Sequence, residues 1–334
     1  MNIKKLVPKG IRVALRPLRV AADLLPSYYY DFVRYLRFSS TGTEYRSKEN
    51  LRSRITERFH NVEKGLSLPS PRPGFGKDKL PDLLTYIEYY LQNFGADDFI
   101  KVPVTVLARY ADFNKRVDLV DYPHRDRIER LIQVVGAHEA SGEYGTRPVV
   151  ASDVRSVTEN VSLDFFLSRH TVRQFAGQDV DISDVEWATR AAIKSPTVCN
   201  RQNTRVYFTL EREKIHSLLE IQGGAKGFAD QVRGLAVITT RLSNFWGAGE
   251  RHQAWVDGGL FSMSFLLALH ARGLGAVSLN WSKGAAKDIE LRRALPMRDD
   301  EAVIMLVGFG HLREQFSVAS SWRPPVDDLL VHLR

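Results

Sequence analysis

The chain has 334 residues, 44% of them hydrophobic and 26% charged, which is enough apolar matter for a real core and more length than a single core usually needs. Its one cysteine, Cys199, excludes an intrachain disulfide and any cysteine-built zinc site, and it suits a reducing compartment. The net charge of +8 is concentrated in residues 1–40, where eight Lys and Arg face only Asp23 and Asp31. The basic balance therefore describes a local surface and argues against nucleic-acid binding by the whole protein.

In chain order, the first segment sets Ile11, Val13, Leu15, Leu18, Val20, Leu24 and Leu25 among arginines, followed by Tyr28, Tyr29, Tyr30, Phe32 and Tyr35. Such a basic amphipathic stretch can lie on an anionic membrane surface. Packing on the protein's own body with snorkelling arginines is the preferred reading. Arginine interrupts every apolar run short of the ~20 residues of a spanning helix. Arg12, Arg16 and Arg19 break up what would be the apolar region of a signal peptide. The expectation is a cytoplasmic protein, with peripheral contact at the inner membrane surface through residues 1–40 as the variant.

Residues 1–160 read as a mostly helical extension. Leu51, Ile55, Phe59 and Val62 have helical spacing within 47–64, with Gly65 as the natural stop. Pro81–Phe94 repeats the pattern, and two further helices are expected near 103–116 and 123–135, each opened by a proline in its first turn. Residues 136–160 are small, polar and aperiodic, and read as a linker. The pattern then turns to mixed α and β over 161–334. Ser183-x-x-Glu186 reads as a capping box, and Val206–Leu210 and Leu235–Thr240 as strands. Leu260–Ala271 should be a helix buried on every side, and Ala302–Val307 a buried strand closing in Gly308-Phe309-Gly310. The fold class expected is α+β, helices around a mainly antiparallel sheet.

Four stretches carry candidate chemistry. In Ser168–Phe175 the cations Arg169, His170 and Arg173 surround Thr171, a set that can hold a phosphate or make a basic surface turn. In Lys194–Asn203 a helix ends at Pro196, and Thr197, Asn200 and Gln202 can read the polar edge of a planar heterocycle or satisfy their own backbone. The glycines of Arg272–Trp281 permit close approach of a flat ligand or simply cap a helix. A late Arg323 follows the Gly-x-Gly strand end. Cys199 reads as a small apolar filler, since no nearby charge pattern marks a lowered thiol pKa.

Taken together and in this order, these motifs resemble the nitroreductase family of FMN enzymes over residues 162–330. The resemblance implies a nitroreductase-like, dimeric fold with FMN as cofactor and NAD(P)H as co-substrate. It implies that Arg169, His170 and Thr171 hold phosphate and ribityl oxygens and that Arg173 faces the flavin N1/O2 side. Pro196, Thr197, Asn200 and Gln202 would edge the ring, usually across a homodimer interface. Ser278, Leu279 and Asn280 would run beside the ring, and Arg323 would reach the phosphate. Here Thr171 replaces the usual serine, and Asn203 the usual proline. The implied activity passes reducing equivalents from NAD(P)H through flavin to an electron-poor small-molecule acceptor, with no catalytic protein residue assigned and no metal. A non-catalytic flavin-binding scaffold at a membrane-associated assembly, or an enzyme that consumes reduced FMN itself, are the alternatives. The extended form with a helical N-terminal half resembles nitroreductase-like proteins linked to bacterial surface-polysaccharide gene clusters. Within that half, His60 and Lys64 share a helix face, with Arg72 in the Gly/Pro loop beyond. They can bind an anionic substrate over the flavin or form an ordinary helix end.

Overall fold

The computed structural model describes residues 15–42, 45, 47–136 and 144–333, beginning with helix α1, Arg16–Phe38. No residue of α1 is buried. Its half-buried positions, Ser27, Tyr30, Arg34, Tyr35 and Phe38, lie mainly on its polar side. The preferred reading of this segment is therefore reversed: the polar side meets the body and most of the apolar side faces outward. Residues 1–14 lie outside the described residues.

Helices α2 (Lys48–Leu66), α3 (Leu80–Phe94), α4 (Asp98–Arg116) and α5 (Arg125–Val135) build a core of their own. Leu51, Ile55, Phe59 and Val62 form the expected stripe on α2, and Leu84, Ile87, Leu107, Tyr110 and Ile128 share its core. Boundaries depart from expectation where side chains outcompete local signals. Gly65 does not stop α2 but sits in its last turn, where the Phe75 ring fills the space a Cβ would take. Helix α4 starts before Pro103, because the Asp97 carboxylate accepts from the Ile100 amide at 3.2 Å and caps the helix. Asp97 also pairs with Lys48 at 3.1 Å and Arg52 at 2.6 Å, so the same group ties α4 to α2. Helix α5 begins at Arg125, two residues after Pro123, with His124 in the left-handed region before it. Of the expected linker, 137–143 lie outside the described residues. Ala151–Thr158 is a short exposed helix, α6, and Leu163–Leu167 follows as α7.

The rest of the chain wraps helices around four antiparallel strands. Helix α8 (Ile182–Ala192) is capped by Asp181, which accepts from the Ser183 amide at 2.7 Å, so the Ser183–Glu186 capping box is not used. Then come β1 (Thr204–Thr209), α9 (Arg212–Gln222), β2 (Gly234–Arg241), α10 (Gln253–Ala271), β3 (Leu274–Asn280), α11 (Ala285–Ala294) and β4 (Glu301–His311). The strand order is β1-β2-β4-β3. Period-two alternation sorts the side chains. Leu235, Val237, Val277 and Leu279 face α9 and α11, whereas Ala236, Ile238, Leu274 and Ala276 face α8 and α10. Both faces are covered, which is why β2 reads as one apolar run. A register shift opposite Ile238 and Thr239 skips Ile304, and this keeps Val303 and Leu306 on one face despite their odd spacing. Gly308–Gly310 lies inside β4 and does not end it.

Helix α10 starts at Gln253, earlier than expected, and is not buried all round. Phe261, Phe265 and Leu269 enter the core, but Trp255, Val256, Leu260 and Met263 stay exposed, because the sheet and α8 cover only part of its circumference. By length and composition the stretch Ala248–Ala271 could cross a membrane, an exception to the expectation that no run suffices. It occupies the position of a core helix, and half of its most apolar window is buried.

The extension is fixed to this part by a buried carboxylate. Asp288 of α11 accepts from Tyr30 Oη at 2.7 Å, Arg34 Nη1 at 3.2 Å, Trp281 Nε1 at 3.1 Å and Arg292 Nε at 2.7 Å. Burial alone would raise its pKa, but Arg292 and Arg34 together with the Tyr30 hydrogen bond hold the carboxyl below its usual range. A carboxylate with a depressed folded pKa contributes stability above its unfolded pKa of about 4, and that contribution is lost as pH falls through the folded value. Asp288→Ala should lower stability by about 3 kcal/mol at neutral pH by stranding two guanidinium groups. Chemical denaturation should show this difference shrinking below about pH 4.

Candidate functional site

The chain past α7 docks on the sheet through its apolar residues, and this aims its polar ones outward. The Val172 amide donates to the Ala276 carbonyl at 3.0 Å, and Thr171 bridges Ala276 in parallel register. Val172 and Phe175 are buried, and they lie where a Cβ on Gly275 or Gly310 would crowd them. Those two glycines thus serve close backbone approach to this segment. Arg169 and Thr171 are half-buried, while His170 and Arg173 are exposed. Among the described residues, none of the three cations forms an ion pair or a side-chain hydrogen bond. Arg169 and His170 line a small pocket with Ser168, His270 and Gly275. His270 Nε2 lies 3.0 Å from both Ser168 Oγ and the Phe165 carbonyl. Burial lowers the His270 pKa, the hydrogen bond to Phe165 opposes this, and Arg169 and His170 lower it further. An anion placed here would meet cations with no competing acid.

The second group is a strained loop. Cys199, Asn200 and Gln202 all have φ near +50°, at 49°, 55° and 50°, in the left-handed region that residues with a Cβ rarely adopt. Two local bonds shape it: the Gln202 amide donates to Thr197 Oγ1 at 3.1 Å, and Gln202 Nε2 to Asn200 Oδ1 at 2.7 Å. What holds it lies beneath. Asp257 of α10, 1% exposed, accepts from the Val198 amide at 3.2 Å, from Asn203 Nδ2 at 2.5 Å and from Gln253 Nε2 at 2.8 Å. Asp257 and Asn203 thereby pin both ends of the loop. Asn203 is a structural ligand of this buried acid.

Arg201 points inward from the same loop. It pairs with Glu250 through both terminal nitrogens at 2.8 and 3.0 Å and donates to the Asn244 carbonyl at 2.9 Å. Its guanidinium lies 3.5 Å from the centre of the Trp246 ring, and Arg54 of α2 also stacks on that ring, at 3.8 Å. Alongside, Asn50 Nδ2 donates to the Ser243 carbonyl at 2.6 Å and Ser53 Oγ to the Asn244 carbonyl at 2.8 Å. The first half of α2 is thus the support for the loop at 197–203 and for Ser243–Asn244 behind it.

Pro196, Thr197, Asn200 and Gln202 line a broad cleft of about 1070 Å³ with Lys194 and Arg205. No residue of that cleft lines the pocket at Arg169 and His170. A single chain therefore brings the basic motif to β3 and the amide loop to β1 without joining them. Leu279 is buried, while Ser278 and Asn280 are exposed farther along β3, where Asn280 Nδ2 bonds Ser282 Oγ at 2.9 Å. Among the described residues, Arg323 bonds the carbonyls of Ser321 and Trp322 in its own tail and no other group. His60 pairs with Glu63 at 3.0 Å, and Glu63 also accepts from the Gly145 amide at 3.3 Å. Lys64 and Arg72 are exposed. These three residues lie toward the end of α2 away from Asn50 and Ser53, and they do not line the cleft of the amide loop. Among the described residues, no group of three or more His, Cys, Asp or Glu is placed to hold a metal ion.

Sequence reasoning missed Asp257, Arg201 and Trp246. A signal existed for the first: Asp257 is the one acid in the otherwise apolar run Ala254–Ala271. For Arg201 and Trp246 none did, because the stack joins Arg54 of α2 to residues far along the chain that only the tertiary fold brings together.

The Nitroreductase family model matches residues 218–311, from within α9 to the end of β4, and the fold of this part is nitroreductase-like. No curated protein matches the chain. Among solved structures it is similar to a BluB-like flavoprotein from Clostridium difficile 630, at 16% identity over 52% of this chain and 100% of that one, with a TM-score of 0.45. It is also similar to a nitroreductase family protein from Streptococcus pneumoniae TIGR4, at 19% identity over 51% of this chain and 99% of that one, TM-score 0.43. A third is an FMN-dependent nitroreductase from Clostridium difficile R20291, at 18% identity over 52% and 98%, TM-score 0.42.

Asp257→Ala removes the acceptor of three amide groups, and it should destabilise the protein by about 3 kcal/mol. Hydrogen exchange should show faster opening of residues 197–203 in that variant, with β2 and β4 protected as in the wild type.

Proposed function

We propose that the protein is an FMN-dependent oxidoreductase that works as a homodimer. It would take reducing equivalents from NADH or NADPH and deliver them to an electron-poor small molecule. The observation that supports this best is the basic cluster Arg169, His170 and Arg173, which has no acidic partner among the described residues and is anchored to β3 beside close-approach glycines. That donor set fits a phosphate-bearing cofactor. Arg169, His170 and Thr171 would hold phosphate and ribityl oxygens. Arg173 would set positive charge at the edge of the ring where reduction adds negative charge. Pro196, Thr197, Asn200 and Gln202 would edge the ring, their strained loop kept in shape by Asp257. Ser278, Leu279 and Asn280 would flank it, and Arg323 would complete the anion site from the tail. Bound FMN would supply the hydride and electron chemistry, and the protein would supply orientation, charge and exclusion of water.

The separation of the two groups supports the dimer. The motif at β3 and the loop at β1 lie toward different parts of α10, and between them α10 exposes Val256, Leu260 and Met263 at helical spacing. A second copy laid across this stripe by a two-fold axis would cover it and bring one chain's basic motif toward the other's amide loop.

The purified protein should be yellow, and its flavin bands should bleach with NADH or NADPH. A colourless protein that cannot be loaded with FMN would sink the proposal. Arg169→Ala and Arg173→Ala should each weaken FMN binding at least tenfold, about 1.4 kcal/mol, in fluorescence titrations. Leu260→Arg with Met263→Arg should give a monomer by analytical ultracentrifugation, with FMN affinity falling alongside. A monomeric variant that binds FMN like the wild type would refute a site shared between subunits.

A further inference from the structure

Helix α1 is attached to the protein by the wrong side for a water-facing helix. At 3.6 residues per turn, Leu18, Leu25, Tyr29, Phe32 and Leu36 fall on one face. The opposite face carries Ser27, Tyr30, Arg34 and Phe38, which are half-buried against the body. Three anchors hold this orientation. Tyr30 and Arg34 bind Asp288, Arg34 also donates to the carbonyls of Asp299 at 2.9 Å and Glu301 at 2.7 Å, and Tyr35 Oη donates to the Gly247 carbonyl at 2.8 Å. The apolar face is left to solvent: Leu18 is 68% exposed, Leu25 66%, Tyr28 67%, Tyr29 69% and Phe32 58%. A contiguous outward patch of this kind on a fixed helix marks an interaction surface.

We propose that this face of α1 docks the protein on an anionic lipid surface. The charges select that occupant over an apolar partner. Arg19 and Arg37 stand about five turns apart along one edge of the face, and both acids of the helix, Asp23 and Asp31, lie on the other half of the wheel. The sequence before α1 adds Lys4, Lys5, Lys9 and Arg12, and no acid occurs before Asp23. Tyr28 and Tyr29 sit toward the two borders of the face, where an amphipathic ring meets headgroups on one side and acyl chains on the other. Beyond the Tyr28 border, Tyr28 and Phe32 also line a cleft of about 370 Å³ in which Asp31 is outnumbered by Arg34 and Arg251 and which holds the exposed Trp255. Trp255 is a ring of the kind that sits at a headgroup interface. The reading is independent of the flavin.

The test is co-sedimentation of the full-length protein with sucrose-loaded vesicles of phosphatidylcholine alone or of phosphatidylcholine and phosphatidylglycerol in about a 3:1 ratio. Partition onto the anionic vesicles should exceed that onto neutral ones at least tenfold and fall steeply with added salt. Leu25→Glu with Phe32→Glu changes only exposed side chains, so it should abolish partition while leaving the melting temperature and any bound flavin unchanged. Wild-type protein that stays with the soluble fraction would overturn the proposal, as would a double variant that partitions unchanged. A double variant that loses oligomeric order in the absence of vesicles would assign the face to a second copy of the chain and overturn it equally.

Discussion

Asp257 is a carboxylate that solvent hardly reaches, held by amides and, among the described residues, by no cation. Taking such a group out of water is expensive unless every lone pair finds a donor. Here the donors are a backbone amide at one end of the loop, a side-chain amide at the other, and Gln253 one turn earlier on the acid's own helix. The loop between them takes a course with three left-handed residues that no local preference would choose. Strain in the loop and satisfaction of the acid are thus two sides of one arrangement. Because Asp257 lies on α10, which packs on the central sheet, the loop inherits the rigidity of the core.

A second arrangement of the same kind works from behind. Arg201 is turned away from the cleft into a pair with Glu250 and a stack on Trp246, so the loop's most strongly charged side chain is used for support. The side chains left to face the cleft are Thr197, Asn200 and Gln202, uncharged and able both to donate and to accept. The basic motif at β3 follows the opposite logic, with its apolar residues docked and its cations, among the described residues, without an acidic partner. One site offers charge and the other offers hydrogen-bonding edges, the two requirements of a ligand that is anionic at one end and flat and polar at the other.

What could be read from the sequence followed periodicity. The stripe on α2, the apolar runs of β2 and β4 and the antiparallel α+β class were legible because burial imposes a repeat on adjacent residues. Boundaries were less so. Pro103 and Gly65 are strong local signals, yet Asp97 had a better cap to offer and Phe75 needed the space of a Cβ. The site was legible as residue types in order, since Arg169–Arg173 and Pro196–Gln202 are contiguous. Its supports were not, because Asp257 meets Asn203, and Trp246 meets Arg54, only through the tertiary fold. The orientation of α1 was misread for a related reason. An amphipathic pattern tells which residues share a face, but the partner decides which face turns inward, and Asp288 lies more than two hundred residues away.

The stack of Arg54, Trp246 and Arg201 joins a helix of the N-terminal core to a loop of the sheet domain. Each half has its own hydrophobic cluster, so on packing alone they look like separable pieces. The stack, together with Asn50 and Ser53 on the carbonyls of Ser243 and Asn244, ties them together at the seam. A fragment beginning after α5 would keep every strand and every candidate ligand-binding residue of the sheet domain. It would also leave one face of the indole bare, remove the Asn50 donor from the Ser243 carbonyl, and leave the Asn244 carbonyl to Arg201 without Ser53. The helical half is in that sense a scaffold for the loop, and trimming the chain to its recognisable domain would remove the part that keeps that loop in register.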